Sequence, residues 1–313
     1  VKSADSAKGS VSIEGKESTS VEVPETEALI VKATAADNYM FYRWVEEGTE
    51  TVISYRHTYS YEGTEDKTLV AEFVEKDYPI MTRFYVTDLN QQNRYLGSVS
   101  YTAGDNTETL FTCATQEELP FTEYKKLHTP QVEGAVIDKT ENLIRLEEGV
   151  ENFSMNFKQY NEDITYNNGY RDIVCEPEIV WSYQTLYIDW NNDKEFSGEN
   201  EIYAAVGNNS GDNTFDDPDG NVTEGWDRTI TVPAETAPGT YRMRVVYMGP
   251  DPWSNDWPSK VFTEFYNEIR NGIAYDFEIA ISPASGIEGI ASGKVYYDAH
   301  AGLLISPNPT QTT

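Results

Sequence analysis

The sequence predicts an all-β chain: a small N-terminal β module, an intermediate β region and a C-terminal antiparallel β-sandwich, jelly-roll-like in outline. Three observations carry this. Short runs in which apolar and polar residues alternate recur along the chain, and in a strand such alternation sends every second side chain to one face. Turn residues separate most of the runs, as at Gly15, Pro24, Asp37-Asn38, Gly48 and Gly63. No helical stripe of useful length interrupts the N-terminal series.

In chain order, residues 1–10 lack periodicity and read as a tail. Strands at Ser10–Glu14, Thr19–Val23, Ala28–Ala33, Tyr39–Val45, Thr51–Ser54 and Thr68–Val74 fill a module over 11–76. Within 77–148, Thr82–Thr87, Tyr95–Tyr101 and Thr109–Ala114 read as strands joined by hairpin connections at Asp88–Asn93 and Gly104-Asp105-Asn106. Gln116–Leu127 is a loop or a short helical turn. This stretch is either a second small module or the leading strands of the next domain.

From Asn152 the pattern sharpens. Phe153, Met155 and Phe157 alternate; Ile179–Ser182, Gln184–Trp190, Glu201–Val206, Thr229–Val232, Tyr241–Tyr247 and Ile273–Ile281 follow as strands. In Leu186–Trp190, Leu186, Ile188 and Trp190 share one face and Tyr187 and Asp189 the other, which predicts a half-buried strand. Tyr241–Tyr247 and Ile273–Ile281 each present an apolar face at odd positions, with Arg242 and Arg244 opposite in the first and Asp276 and Glu278 in the second. Faced strands of this kind imply two stacked sheets over 149–283. Residues 284–313 stand apart as a tail.

Composition narrows the function. The chain has 313 residues, enough for about two or three domains. Lys plus Arg number 23 against 53 Asp plus Glu, a net charge of −30. Such a surface repels phosphate backbones and anionic headgroups, which argues against nucleic acid and membrane-surface partners. The aromatic content of 13% argues against disorder. Cys113 and Cys175 are either a disulfide or two separate buried thiols. No run of 18 apolar residues is present, so no helix inserts into a membrane. Val1 follows neither an initiator Met nor a signal peptide, which predicts a mature or excised piece of a longer product.

Two resemblances sharpen this. Val31-Lys-Ala-Thr34, then Tyr39-Met-Phe-Tyr-Arg-Trp44, then Tyr55 to Tyr61 and finally Leu69-Val-Ala-Glu-Phe73 resemble bacterial surface repeats of the divergent internalin-type B class. That resemblance implies a β-rich spacer without catalysis, with Trp44 in its core. Ile188-Asp189-Trp190-Asn191-Asn192-Asp193, Phe196, Pro233–Val245 and Gly272-Ile-Ala-Tyr-Asp-Phe277 resemble the landmarks of the GEVED domain over about 150–282. The closing signature departs from that family by lacking its two glutamates. The resemblance implies an accessory β-sandwich of secreted proteins that leave Gram-negative bacteria by type IX export. Gly286-Ile-Glu-Gly-Ile290, Gly302-Leu-Leu-Ile305 and Pro307-Asn-Pro309 resemble the opening of a sorting tail cut short at Thr313, so an extracellular or cell-surface location is expected.

Two candidate sites follow. Asp189, Asn191 and Asp193 sit at alternate positions of a turn, with Glu195 and Glu201 downstream, and hard cations take six to eight such oxygens. The segment is therefore either a calcium site or simply an Asp/Asn-rich turn; Lys194 stands where a calcium loop of the helix-flanked kind has Gly, and no helices flank it. The second site is aromatic: Trp226, Tyr247, Trp253 and Trp257, with Asp256, offer ring faces and oxygens that suit a glycan, or else plug the end of the sandwich. Arg242 and Arg244 are expected to pair with Asp276 and Glu278 across neighbouring strands.

Signals for catalysis are poor. His57, His128 and His300 lie far apart, and neither a nucleophile elbow nor a phosphate-cradling loop is present. The expected function is that of a non-catalytic accessory segment, glycan-binding or spacing, with other domains of the same polypeptide as partners. The alternative is the C-terminal accessory region of a secreted hydrolase, a glycosidase or peptidase with its catalytic domain upstream.

Overall fold

Alternation builds the N-terminal module. Its computed structural model has two small sheets facing each other: β1 (Lys2–Ser3), β7 (Leu69–Glu75), β4 (Tyr39–Glu46) and β5 (Val52–Ser54) in one, and β2 (Gly9–Ile13), β3 (Leu29–Ala35) and β6 (Thr58–Tyr61) in the other. Ile13, Val31, Ala33, Leu69, Ala71 and Phe73 point inward around Trp44, which is completely buried and donates its indole N–H to the Arg56 carbonyl at 3.1 Å. The structure describes residues 1–22, 28–62, 65–84, 94–119, 130–167, 170–175, 182–198, 200–208, 225–249, 265–284, 295–298 and 302–305.

The sandwich takes strands from both sides of residue 148. One sheet runs β10 (Asn106–Thr112), β9 (Leu96–Ala103), β12 (Asn152–Gln159), β17 (Gly225–Thr231), all antiparallel. The other runs β11 (Val136–Glu147), β20 (Ile273–Ser282), β18 (Gly239–Met248), β15 (Ser182–Ile188), β16 (Ile202–Asn208). Strands β9, β10 and β11 thus belong to the sandwich itself, although they precede residue 148. The second sheet departs from a purely antiparallel layer, because β11 lies parallel to β20. A parallel neighbour needs a crossover, and here it spans most of the domain.

Between the sheets lies the main core, where Phe153, Met155 and Phe157 of β12 meet Met243, Val245, Tyr275 and Phe277 of the facing layer. Close packing has a backbone requirement as well. A side chain on Gly272 would run into the Tyr247 carbonyl and the Met248 backbone, so this position accepts only Gly.

The outer face of the five-stranded sheet is covered too. Strand β8 (Thr82–Phe84) pairs with β19 (Glu268–Arg270), and Met81, Tyr187, Phe196, Val246, Met248, Ile269 and Ala274 form a second core there. This corrects the half-buried reading of Leu186–Trp190: Tyr187 and Asp189 are as buried as their neighbours. The covering layer comes from distant segments, so local alternation carries no sign of it. A hairpin of β13 (Ile164–Asn167) and β14 (Asp172–Cys175) and a second of β21 (Val295–Asp298) and β22 (Gly302–Ile305) complete the described strands, with one 3₁₀ turn at Gln116–Glu118. Cys113 and Cys175 are free thiols.

Candidate functional site

The turn after β15 folds around two buried carboxylates. Asp189, 0% exposed, accepts the Asp193 N–H on Oδ1 at 3.2 Å and the Lys194 N–H on Oδ2 at 3.0 Å. Asn191 Oδ1 accepts the Asp193 N–H and Asp193 Oδ1 the Glu195 N–H, each at 2.8 Å, as short polar side chains do in tight turns. Glu201, 1% exposed, closes the loop from the other end by accepting the N–H groups of Asn191, Ser197 and Gly198 at 3.3, 3.1 and 2.6 Å. Asn192, Lys194 and Asn200 take left-handed backbone conformations, with φ of 58°, 64° and 65°.

Electrostatically the turn is unbalanced. Burial pushes the Glu201 carboxyl above its usual range, and the Asp189 and Asp193 charges push the same way, against the Gly198 and Asn191 N–H groups. Asn191, Asp193 and Glu195 are exposed, and the Glu195 carboxylate pairs with Lys76 at 2.8 Å. Among the described residues no three His, Cys, Asp or Glu side chains converge as a ready-made metal cage. The oxygens of the turn are of the type a hard cation selects, and those of Asp189, Asn191, Asp193 and Glu201 are held in place by backbone N–H donors.

The aromatic cluster is divided by the structure. Trp226 and Tyr247, 1% and 0% exposed, are core residues rather than loop surfaces, which corrects their assignment as ligand platforms. Trp226 stacks on Phe157 at 5.7 Å and lies 4.9 Å from Tyr247, because positions 226 and 247 fall on the inward phase of β17 and β18. Trp253, Asp256 and Trp257 lie outside the described residues.

One interior residue had escaped notice. Arg228 shares the phase of Trp226 and Ile230, and it donates Nη1 to Gln184 Oε1 at 2.7 Å; burial lowers its pKa to about 10. The Trp226-x-Arg228-x-Ile230 alternation was the available signal.

Arg242 and Arg244 do pair across to β20, where Arg242 reaches Asp276 at 3.1 Å and Glu278 at 3.4 Å. Both arginines also face the linker out of the N-terminal module. The Arg242 guanidinium lies 4.5 Å over the Tyr78 ring, and Arg244 donates to the Pro79 carbonyl. Tyr78 in turn donates its hydroxyl to Asp189 Oδ2 at 3.0 Å; burial, helped by the Asp189 charge, raises its pKa. Arg56 of the N-terminal module pairs with Glu268, and Lys194 Nζ donates to the Lys76 carbonyl at 3.3 Å. Sequence reasoning found the turn but missed Tyr78, its long-range partner.

These features define an all-β segment whose prominent polar sites are a carboxylate-rich turn and a module junction. Residues 183–279 match the family model of the GEVED domain. GEVED domains are accessory rather than catalytic and occur in extracellular bacterial proteins. A comparison with curated proteins gives no match to the chain.

Proposed function

We propose that this chain is a non-catalytic accessory segment of a secreted or cell-surface bacterial protein, acting as a stiff spacer through a calcium-loaded turn that clasps the N-terminal module. One observation carries the reading: Asp189 Oδ2 accepts both the Lys194 N–H of its own turn and the Tyr78 hydroxyl of the linker. The same carboxylate therefore organises the turn and fixes the junction.

Asp189, Asn191, Asp193, the Glu195 carbonyl and Glu201 would hold the ion. The first four occupy places one, three, five and seven of a calcium loop, and Lys194 adopts the left-handed backbone for which such loops use Gly at place six. A divalent cation would also offset the crowding of Asp189, Asp193 and Glu201. Melting with calcium and with chelator tests this, since an ion bound only by the folded state raises the midpoint. Equal midpoints count against calcium, and small-angle scattering that shows the two modules moving independently counts against the spacer.

Glycan contact through Trp253, Asp256 and Trp257 belongs to the same proposal, supported by the mixture of indoles and side-chain oxygens in that stretch. Replacing both tryptophans by Ala is expected to abolish glycan-array signals. A place at the C-terminal side of a secreted hydrolase is compatible with an accessory role, and the open reading frame upstream of Val1 tests it.

A further inference from the structure

We infer that the cleft between the N-terminal module and the sandwich is a binding site for an acidic sugar ring of the uronate type. The inference goes beyond the spacer reading and rests on the junction being closed, because each module supplies one wall. The cleft has a volume of about 830 Å³, within the range of small-ligand sites. Phe41, Tyr42 and Tyr55 line one side and Phe265 and Tyr266 the other, all half-buried.

The rings are held in place. Tyr42 and Tyr55 meet edge-on with centroids 6.4 Å apart, the Arg43 guanidinium lies 5.0 Å over the Tyr42 ring, and Tyr266 donates its hydroxyl to Glu268 at 3.2 Å. Half-buried tyrosines combine a ring face, on which the C–H face of a sugar stacks, with a hydroxyl that bonds its oxygens.

Charge selects the kind of sugar. In a chain of −30, this cleft carries the cations Lys32 and Arg56, and its one acid, Glu268, is already shared by Arg56 and Arg270. Lys32 is exposed and has no ion-pair partner among the described residues. Arg56 binds Glu268 through Nε at 2.7 Å and through Nη2, which leaves Nη1 for a ligand. A carboxylate on a sugar ring would meet these cations, while the net charge of the chain is screened beyond about 8 Å at physiological salt.

The test is calorimetric titration of the whole chain at physiological salt with three probes: a tetramer of galacturonate, a neutral glucose tetramer and a tetrapeptide of glutamate. The galacturonate is expected to bind at least about tenfold more tightly than either of the others, with Lys32→Ser weakening it roughly fivefold and Tyr55→Ala abolishing it. Equal binding of the glucose tetramer overturns the charge argument, and equal binding of the glutamate peptide overturns the ring argument. No heat with millimolar galacturonate overturns the site. Lys32→Ser is an exposed substitution that keeps the fold, so undiminished binding in that variant also overturns it. Small-angle scattering of the same samples separates the two proposals: a closed molecule that ignores galacturonate sinks this site alone, whereas an open one sinks the spacer reading.

Discussion

Arg244 and Asp276 stand opposite each other in the register of β18 and β20 and form a two-point pair, Nε to Oδ1 at 2.7 Å and Nη2 to Oδ2 at 2.8 Å, with almost no solvent contact on either side chain. Two buried charges are tolerated here because each bonds the other at two points, Arg244 also donates to the Pro79 carbonyl, and Arg242 adds a third contact to Asp276. Removing one partner strands the other. Asp276→Ala is expected to cost about 3–5 kcal/mol in urea unfolding, whereas Glu278→Ala, at the half-exposed end of the network, is expected to cost under about 1 kcal/mol.

Tyr78→Phe deletes one donor to a buried carboxylate and keeps the ring beneath Arg242. The expected loss is about 1.5–3 kcal/mol. Asp189→Ala also leaves the Lys194 N–H without its acceptor and the Asp193 N–H with Asn191 Oδ1 alone, so the loss is expected to exceed that of Tyr78→Phe. Differential scanning calorimetry of both variants checks the order.

Glu201 gives a pH dependence with a definite sign. Its folded pKa lies above the usual carboxylate value, 4.5 for Glu, so its contribution to stability is complete below that value and is lost as pH rises through the raised one. Calcium requires the ionised form. The calcium-induced rise in melting midpoint is therefore expected to grow between pH 4.5 and neutrality, and Glu201→Gln is expected to remove that growth.

Gly272→Ala places a methyl group against the Tyr247 carbonyl and Met248 Cα, backbone that cannot move aside without breaking the β18–β20 register. A loss of at least about 1–3 kcal/mol is expected, read from the urea midpoint. Gly104→Ala adds its methyl to open space at φ 57°, so only the backbone term applies, about 1–2 kcal/mol.

Period-two alternation made the strands legible: Phe153-x-Met155-x-Phe157 and Ile273-x-Tyr275-x-Phe277 point inward in the phase the sequence implies. The turn at Asp189 was legible because its oxygens are adjacent in sequence. What covers the outer face was not, since Tyr78, Met81 and Ile269 come from segments far from β15 and have no periodic relation to it. Trp226 and Tyr247 were misplaced for a related reason. Trp226 was judged by its neighbourhood in a loop-rich stretch, whereas its place opposite Phe157 is fixed by a strand pairing that no local pattern reports. Lys194 shows the limit at finer grain, because a lysine in a left-handed conformation is the opposite of what its propensity suggests.

The parallel seat of β11 against β20 has a consequence for how the chain matures. Val136 meets Ala274 and Glu147 meets Ser282, so an early strand waits for one made near the end. The N-terminal sheets draw on residues 2–75 alone and can close as soon as those residues are available. Until β20 arrives, β11 and β18 keep bare edges that invite pairing with other molecules, and the long separation makes their closure the slow step. Synthesis that stops short of Ile273 leaves a finished head on a sticky, open body.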